Sequence, residues 1–469
     1  MENRRTFLTA TAAAVVATAA RPVLGANEKI QMAIIGTGNR GGRVFDSLCR
    51  HDECKFLAAA EVNQARLDGW MTPARQTFKL QTYGDYRKIL DRKDIDAVLI
   101  ATPDHSHSHI MVDAIAAGKD VYVEKPASNS VARINAMMDA YNKGKQVLQM
   151  GTHQRSWDHF IEAKKIVDSG ILGNITHVNI VQPGSYARAK EAEAPVPAGL
   201  DWDMWQGDAP KKAFKPSRLG FRAWYDYGGG LVADWGAHHV DVGLWFMNAD
   251  GKAPKVTMAN GARLAVPDAD PEQVPDTFSI SWQFDNFMMT FANAVPSEAD
   301  GIEKWGVYFI GNRGWMQVNR QGWVVRPQVG PVVRKQGAPP PPTAGGVTLG
   351  AGGVAIAAGG PGGPGGAGFG GGRGGSGGGR GGRGGGAGAT NMAPVEAKTY
   401  INPRGGVEED YPLDVHTQNF LDCIKSRKKT NASMDIGYSS ALPCLIALES
   451  LQTGKILGWD SAARKTKVL

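Results

Sequence analysis

The stretch Lys29-Ile30-Gln31-Met32-Ala33-Ile34-Ile35-Gly36-Thr37-Gly38-Asn39-Arg40-Gly41 decides how the first third of the chain folds. Its first seven residues alternate and then run apolar, the pattern of a strand buried on both faces. They lead without a spacer into a Gly-x-Gly-x-x-Gly turn, and Gly42 to Cys49 then reads as a helix. In a strand, turn and helix so joined, each glycine has a task. Gly36 permits the tight turn, Gly38 lets backbone approach a pyrophosphate, and Gly41 lets helix and strand pack closely, with the helix N-terminus facing the anion. Alone, the glycine spacing is weak. Here a second apolar run, Phe56 to Ala60, ends at Glu61, 20 residues after Gly41, where a carboxylate meets a ribose diol. Glu61 would repel a 2′-phosphate, so NAD(H) is favoured over NADP(H). Thr37, Asn39 and Arg40 belong to the turn expected to hold the cofactor.

The pattern continues. Ile95 to Ile100 reads as a strand ending in Ala101-Thr102-Pro103-Asp104-His105-Ser106-His107, followed by a helix to Ala117-Gly118. Val121 to Val123 is a further strand and ends in Glu124-Lys125-Pro126; Val147 to Met150 is another, followed by Gly151-Thr152-His153-Gln154-Arg155-Ser156-Trp157. Strands alternating with helices mean a doubly wound parallel sheet, whose ligands sit at the strand C-termini. Successive strand ends therefore carry polar residues on one rim.

Composition bounds the rest. Of 61 glycines in 469 residues, 26 fall between Gly345 and Gly388, so the glycine total describes one segment. The remainder carries enough large apolar residues to build packed cores, which excludes a fibrous or wholly disordered chain. The formal charge of +7 is concentrated in the same way: Arg4, Arg5 and Arg21 against Glu2, with Arg373, Arg380 and Arg383, account for most of it. The body is nearly balanced and leaves no electrostatic footprint for nucleic acid. The three Arg-Gly-Gly triplets lack interleaved aromatics, so no nucleic-acid partner is expected. Cys49, Cys54, Cys423 and Cys444 show no metal-ligand spacing, and no metal is expected.

Asn3-Arg4-Arg5-Thr6-Phe7-Leu8 is a twin-arginine pattern, followed by an alanine-rich apolar run to Ala20 and small residues ending at Gly25-Ala26. Residues 1–26 read as a Tat signal, which makes the Tat machinery a partner and the periplasm, or another exported location, the destination. The apolar run is too short and small-sided for a stable membrane anchor. The expected organisation is a cofactor domain over 27–150, a substrate and oligomerisation domain over 151–336, a disordered Pro/Gly-rich insertion over 337–392, and the remainder of the second domain over 393–469. In that second domain Ile175 to Val181, Thr277 to Phe284, Phe287 to Phe291, Trp305 to Ile310 and Gly314 to Val318 look like sheet, and His416 to Leu421 like an amphipathic helix.

Gly36-Thr-Gly-Asn-Arg-Gly41, Ala101-Thr-Pro-Asp-His-Ser-His107 with the later Glu124-Lys125-Pro126, and Gly228-Gly-Gly-Leu-Val-Ala-Asp-Trp-Gly-Ala-His-His-Val-Asp241 together resemble the Gfo/Idh/MocA oxidoreductases, from about Lys29 to the C-terminus. The resemblance implies an α/β protein: an N-terminal Rossmann domain with a doubly wound parallel sheet, then an α/β domain with a large, open, mainly antiparallel sheet that often forms the oligomer interface. It further implies that Lys125, Asp234 and His238 form the catalytic group. His238 would be the acid/base, Asp234 its partner or a substrate-hydroxyl ligand, and Lys125 the cation on the reacting oxygen. Thr102, Pro103 and Asp104 would lie against the nicotinamide half of the cofactor, with His107 and Glu124 nearby; relatives often carry Asn where this chain has Asp104. The loop with His153, Arg155 and Trp157 is a candidate for substrate contacts. Trp224 and Tyr227, whose aromatic faces suit sugar rings, are further candidates.

These expectations describe an exported NAD-dependent oxidoreductase of a carbohydrate, with a retained cofactor and a homo-oligomeric state. Because a retained cofactor must be regenerated, a redox-neutral glycosidase or epimerase acting through a transient keto-sugar is the alternative. A non-catalytic binding protein is disfavoured by the intact Lys125, Asp234 and His238.

Overall fold

A computed structural model of the protein describes residues 28–293, 305–327, 349–350, 353–354 and 410–469. The expected signal and most of the expected insertion lie outside these.

Six strands form the first sheet: β1 (Ile30–Ile35), β2 (Cys54–Ala60), β3 (Gln81–Tyr83), β4 (Ala97–Ile100), β5 (Asp120–Val123) and β6 (Leu148–Met150). All pairings are parallel and the order is β3-β2-β1-β4-β5-β6. The order reverses between β1 and β4, and such a switch point opens a crevice at the strand C-termini. Residues Ala97 to Ile100 are all fully buried, as strands covered by helices on both faces must be. The helix Asn39–Cys49 follows β1 and the helix Asp104–Ala116 follows β4, so both helix N-termini face the crevice.

The second sheet has nine strands: β7 (Ile175–Val181), β8 (Val256–Ala262), β9 (Thr277–Gln283), β10 (Met288–Ala292), β11 (Gly306–Gly311), β12 (Gly314–Asn319), β13 (Gly322–Pro327), and the C-terminal pair Leu457–Asp460 and Lys465–Val468. Its order is β13-β12-β11-β7-β10-β9-β8 followed by that pair; only β7 and β10 run parallel. One face packs under the helices Gly236–Phe246 and Met434–Thr453. No described element covers the other, where the register lines up Met288, His177, Ile310 and Trp315 across four strands.

The helix Asp410–Ser426, expected within the remainder of the second domain, does not belong to it. Leu413, Phe420, Leu421 and Ile424 share a core with Ile30, Met32, Phe45 and Leu99 of the first sheet and its helix. Asp414 accepts from Ser47 Oγ at 2.7 Å and from Arg50 Nε at 2.9 Å, which fixes that docking. The chain thus returns to cover the first domain before completing the second. The other large core runs from Val98 and Met150 through Val178 to Phe309 without interruption, so the two domains share one packed interior.

Candidate active site

A cleft of ≈ 630 Å³ runs from the end of β1 to the inner edge of the second domain, within the size range of small-molecule and cofactor sites. At one end stands the glycine turn. Gly36 has φ +92°, and a Cβ there would meet backbone atoms of Ala101 and Thr102 at 2.8 Å. A Cβ on Gly41 would lie 2.3 Å from the Gly36 carbonyl oxygen, so these two positions admit only glycine. Above Gly38 the space is open, the nearest atom being Arg66 Nη1 at 3.7 Å. Gly38 is the N-cap of Asn39–Cys49 and no side chain caps that helix, so its first-turn N–H groups are available to an anion. Arg43 and Arg66 also line this end.

Glu61, at the end of β2, lines the cleft, and its Oε2 accepts from the Thr37 N–H at 2.9 Å and from Thr37 Oγ1 at 3.2 Å. Oε1 accepts from Asn63 N–H at 3.1 Å. A carboxylate anchored in this way beside the glycine turn suits a ribose diol and opposes a phosphate. The residues present fit a nicotinamide dinucleotide.

Gly36, Gly38, Asn39, Arg40, Thr102, Pro103, Asp104, His107, Glu124 and Lys125 also line the cleft. Thr37 and Gly41 lie behind it and act through the turn. Arg40 Nε donates to Glu124 Oε1 at 2.8 Å, and its Nη2 lies 3.3 Å from His153 Nδ1. These three tie the ends of β1, β5 and β6 together. Both ring nitrogens of His107 face backbone carbonyls, Pro126 O at 2.7 Å and Thr102 O at 2.9 Å, so this side chain braces two rim loops. His105 does the same between Trp205 O at 2.8 Å and Tyr227 O at 3.3 Å.

At the far end the Lys125 ammonium donates to Asp234 Oδ1 at 2.6 Å and to the Asp234 carbonyl at 3.1 Å. Asp234 closes the short helix Gly230–Asp234 and His238 lies in the next, Gly236–Phe246, with Trp235 between them. Both side chains reach the cleft, but Asp234 is not the partner of His238. Its Oδ1 also accepts from Arg222 Nε at 3.0 Å, and its Oδ2 accepts from the Tyr186 hydroxyl at 2.5 Å. Burial alone would raise the Asp234 carboxyl; Lys125, Arg222 and Tyr186 outweigh it and hold the group well below the usual carboxylate range. Burial, with Lys125 and Arg320 close by, pushes His238 well below the usual imidazole range, so it is neutral at physiological pH. Its buried Nδ1 has no hydrogen-bond partner among the described residues. His153, edge-on to His238 at 5.6 Å, is depressed in the same way by burial and by Arg40.

Tyr186 and Arg222 carry no signal in the sequence. Tyr186 sits in the irregular segment after β7, and Arg222 is in a single turn, Phe221–Ala223.

Four expected substrate contacts stand outside the cleft. Arg155 is 8% exposed and is spent on Asp241, with Nε at 3.0 and 2.9 Å from the two oxygens, and on Asp250, with Nη2 at 2.7 Å. Trp157 is buried and stacks behind His153. Trp224 and Tyr227 belong to an aromatic core with Trp202, Trp205 and Phe214; Arg218 covers the Trp224 ring at 4.3 Å. Their large surfaces are used to build the wall of the cleft, which is lined by Trp205, Phe221 and Trp235 together with Tyr86 and Tyr186.

A parallel sheet with a nucleotide turn, joined through a shared core to a mainly antiparallel sheet whose covering helices supply a carboxylate and an imidazole, defines a two-domain NAD-binding oxidoreductase. The profile of the Gfo/Idh/MocA oxidoreductases for the NAD-binding Rossmann fold matches residues 30–152, and that for the family's C-terminal alpha/beta domain matches residues 157–285. The chain belongs to the Gfo/Idh/MocA oxidoreductase family, and its N-terminal domain is an NAD-binding Rossmann fold. An uncharacterized oxidoreductase of Bacillus subtilis, YrbE, is 25% identical over 287 residues, 61% of this chain and 73% of its own. The inositol 2-dehydrogenase of Salmonella typhimurium is 26% identical over 212 residues, 45% of this chain and 51% of its own, so the match spans about half of that relative. Among solved structures, the aldose-aldose oxidoreductase of Caulobacter crescentus complexed with glycerol shares the fold, with TM-score 0.54, 18% identity, and coverage of 94% of this chain and 100% of its own.

Proposed function

We propose that the protein is an exported NAD-dependent oxidoreductase that moves a hydride between a tightly held nicotinamide cofactor and a hydroxyl-bearing carbon of a sugar or sugar derivative. The observation that carries this is the Lys125–Asp234 pair, 2.6 Å apart at the end of the cleft opposite Glu61. The cofactor, when bound, supplies the hydride acceptor. Lys125 places a fixed positive charge where the oxygen of a carbinol gains negative charge on its way to a carbonyl. Neutral His238 is in the protonation state needed to take the hydroxyl proton. Asp234 orients Lys125, and the Tyr186 hydroxyl holds the second oxygen of Asp234 so that the pair stays in place. Trp205, Phe221 and Trp235 offer flat apolar faces to a sugar ring. Relatives described as acting on inositol and on aldoses support a polyhydroxylated substrate.

Export rests on the Arg4-Arg5 signal, and self-association rests on the open sheet face, where Met288 and Ile310 are 38% and 41% exposed. Release and identification of nucleotide from the purified mature protein, followed by reduction of the loaded cofactor with a panel of sugars, tests the assignment. NAD(H) bound close to one per chain is expected, together with sugar-dependent reduction that is lost in Lys125→Ala and His238→Ala. Bound NADP(H), or folded and loaded variants that react at the wild-type rate, would overturn it.

A further inference from the structure

One cleft residue has an atom that neither binding of the dinucleotide turn nor the proton transfer explains. Asp104 is 3% exposed, lines the cleft, and its buried Oδ2 has no hydrogen-bond partner among the described residues. A buried carboxyl oxygen left without a partner costs free energy, so it marks a place where something else docks. The charged groups facing it are Arg222 from the turn Phe221–Ala223, Lys125 from the end of β5, and Asp234 from the helix Gly230–Asp234. Arg222 and Lys125 both give their hydrogen bonds to Asp234, which leaves Asp104 within their field but outside their contacts. On its own helix, His105 and His107 are held neutral, chiefly by burial, and both are occupied by backbone carbonyls. Burial pushes the Asp104 carboxyl up to about 7, with Asp234 adding to the rise and Arg222 and Lys125 opposing it. The side chain therefore stands near the midpoint of its titration at neutral pH.

We propose that Asp104 is the electrostatic partner of the nicotinamide ring, ionised beside the cationic ring of NAD+ and protonated beside the neutral ring of NADH, so that the protein's preference between the two forms changes with pH. The proposal rests on the NAD reading of the site and adds to it a role that an asparagine at this position would not have. Asp104 shares the end of the cleft that holds Lys125, Asp234 and His238, where the reacting ring must lie for hydride transfer. A carboxylate there attracts the oxidised ring; a carboxylic acid repels neither form and can donate its proton. By linkage, the oxidised form lowers the Asp104 pKa and binds more tightly as pH rises, and the reduced form raises it and binds more tightly as pH falls. Asp104 is a positioning and tuning residue, distinct from the groups that move the substrate proton.

The test equilibrates the holoenzyme with mixtures of NAD+ and NADH, separates free nucleotide quickly, and reads the bound ratio by fluorescence and chromatography between about pH 5.5 and about pH 9. In the wild type the preference for NAD+ over NADH should grow roughly tenfold across neutrality, and in Asp104→Asn it should be flat. His153 and His238 are held well below the usual imidazole range by burial, and a slope from any other group would appear equally in Asp104→Asn. A flat wild-type ratio, or the same slope in the asparagine variant, overturns the proposal while leaving the cofactor assignment intact. A protein that retains neither nucleotide refutes the cofactor assignment and this proposal with it. The wild-type profile alone decides the first point should Asp104→Asn fail to fold.

Discussion

Lys125 Nζ lies 2.6 Å from Asp234 Oδ1, so the cation that ends a strand of the parallel sheet is held by a carboxylate from the second domain. The site is complete only when the two domains are packed together. Lys125 and Arg222 share this one carboxylate oxygen, and removing its charge leaves two buried or half-buried cations without a counter-ion.

Asp234→Asn should therefore lower the rate of cofactor reduction by roughly 100- to 10,000-fold, in the range seen when a group that stabilises developing charge or positions a proton carrier is lost. Dinucleotide affinity should change little, because the glycine turn and Glu61 are at the other end of the cleft. Single-turnover kinetics on loaded protein, with nucleotide binding measured alongside, separates the two. Equal loss of binding and rate would place Asp234 in the scaffold instead.

Gly41→Ala sets two effects against each other. Alanine favours a helix over glycine by about 1 kcal/mol. Against that, the new Cβ would lie 2.3 Å from the Gly36 carbonyl oxygen, a backbone atom that cannot step aside without opening the turn. Overpacking of this kind costs about 1–3 kcal/mol. Clash wins, so the melting temperature and the NAD affinity should both fall. A more stable variant that still binds NAD would show that the turn has room the structure does not give it.

The same contrast explains what the sequence made legible. The strands β1, β2, β4, β5 and β6 and their polar ends are local signals, an apolar run followed by a turn of fixed chemistry, and the residues at those ends do meet in one cleft. β8 was not legible because Asn260-Gly261, a pair that reads as a hairpin turn, lies within the strand and pairs with Ser279 and Phe278 of β9. Arg155 looked like a substrate ligand because its partners, Asp241 and Asp250, lie 86 and 95 residues further on. Tyr186 was invisible for the same reason: its role comes from Asp234, 48 residues away, and from nothing in its own loop. Position in a motif was readable; partnership across the fold was not.

Arg155→Met should affect stability and leave substrate affinity unchanged. The guanidinium is buried, holds Asp241 through both oxygens, and lies 5.2 Å from the Trp245 ring. Truncating one partner of a buried ion pair strands the other charge and costs about 3–5 kcal/mol. Denaturant unfolding should show this loss, and KM for an active sugar should stay at the wild-type value. A raised KM with normal stability would return Arg155 to the substrate site.

Ile310→Lys should disrupt self-association. Ile310 stands between His177 and Trp315 in the row that crosses the open sheet face, and it is 41% exposed in a single chain. If copies of the chain pair through this face, a lysine there would be desolvated without a partner. Light scattering should then report a smaller assembly with unchanged secondary structure. A wild type that is monomeric, or a variant with the wild-type mass, would remove this face from consideration.

Asp104 also predicts how the cofactor-free protein responds to pH. Burial pushes its carboxyl up to about 7 in the folded chain, against about 4 for an exposed aspartate, so between those limits the native state holds a proton that the unfolded chain has lost. The contribution to stability is fully present below about pH 4, declines as pH rises, and is gone once the folded value is passed. Asp104→Asn carries no such group. The variant should match the wild type at about pH 4 and exceed it increasingly as pH rises, by at most about 4 kcal/mol above neutrality for a shift of this size. Urea unfolding of the nucleotide-free proteins at several pH values measures the difference directly. A gap that is constant with pH would mean that Asp104 is already ionised in the folded state, held by Arg222 and Lys125 more strongly than burial opposes it.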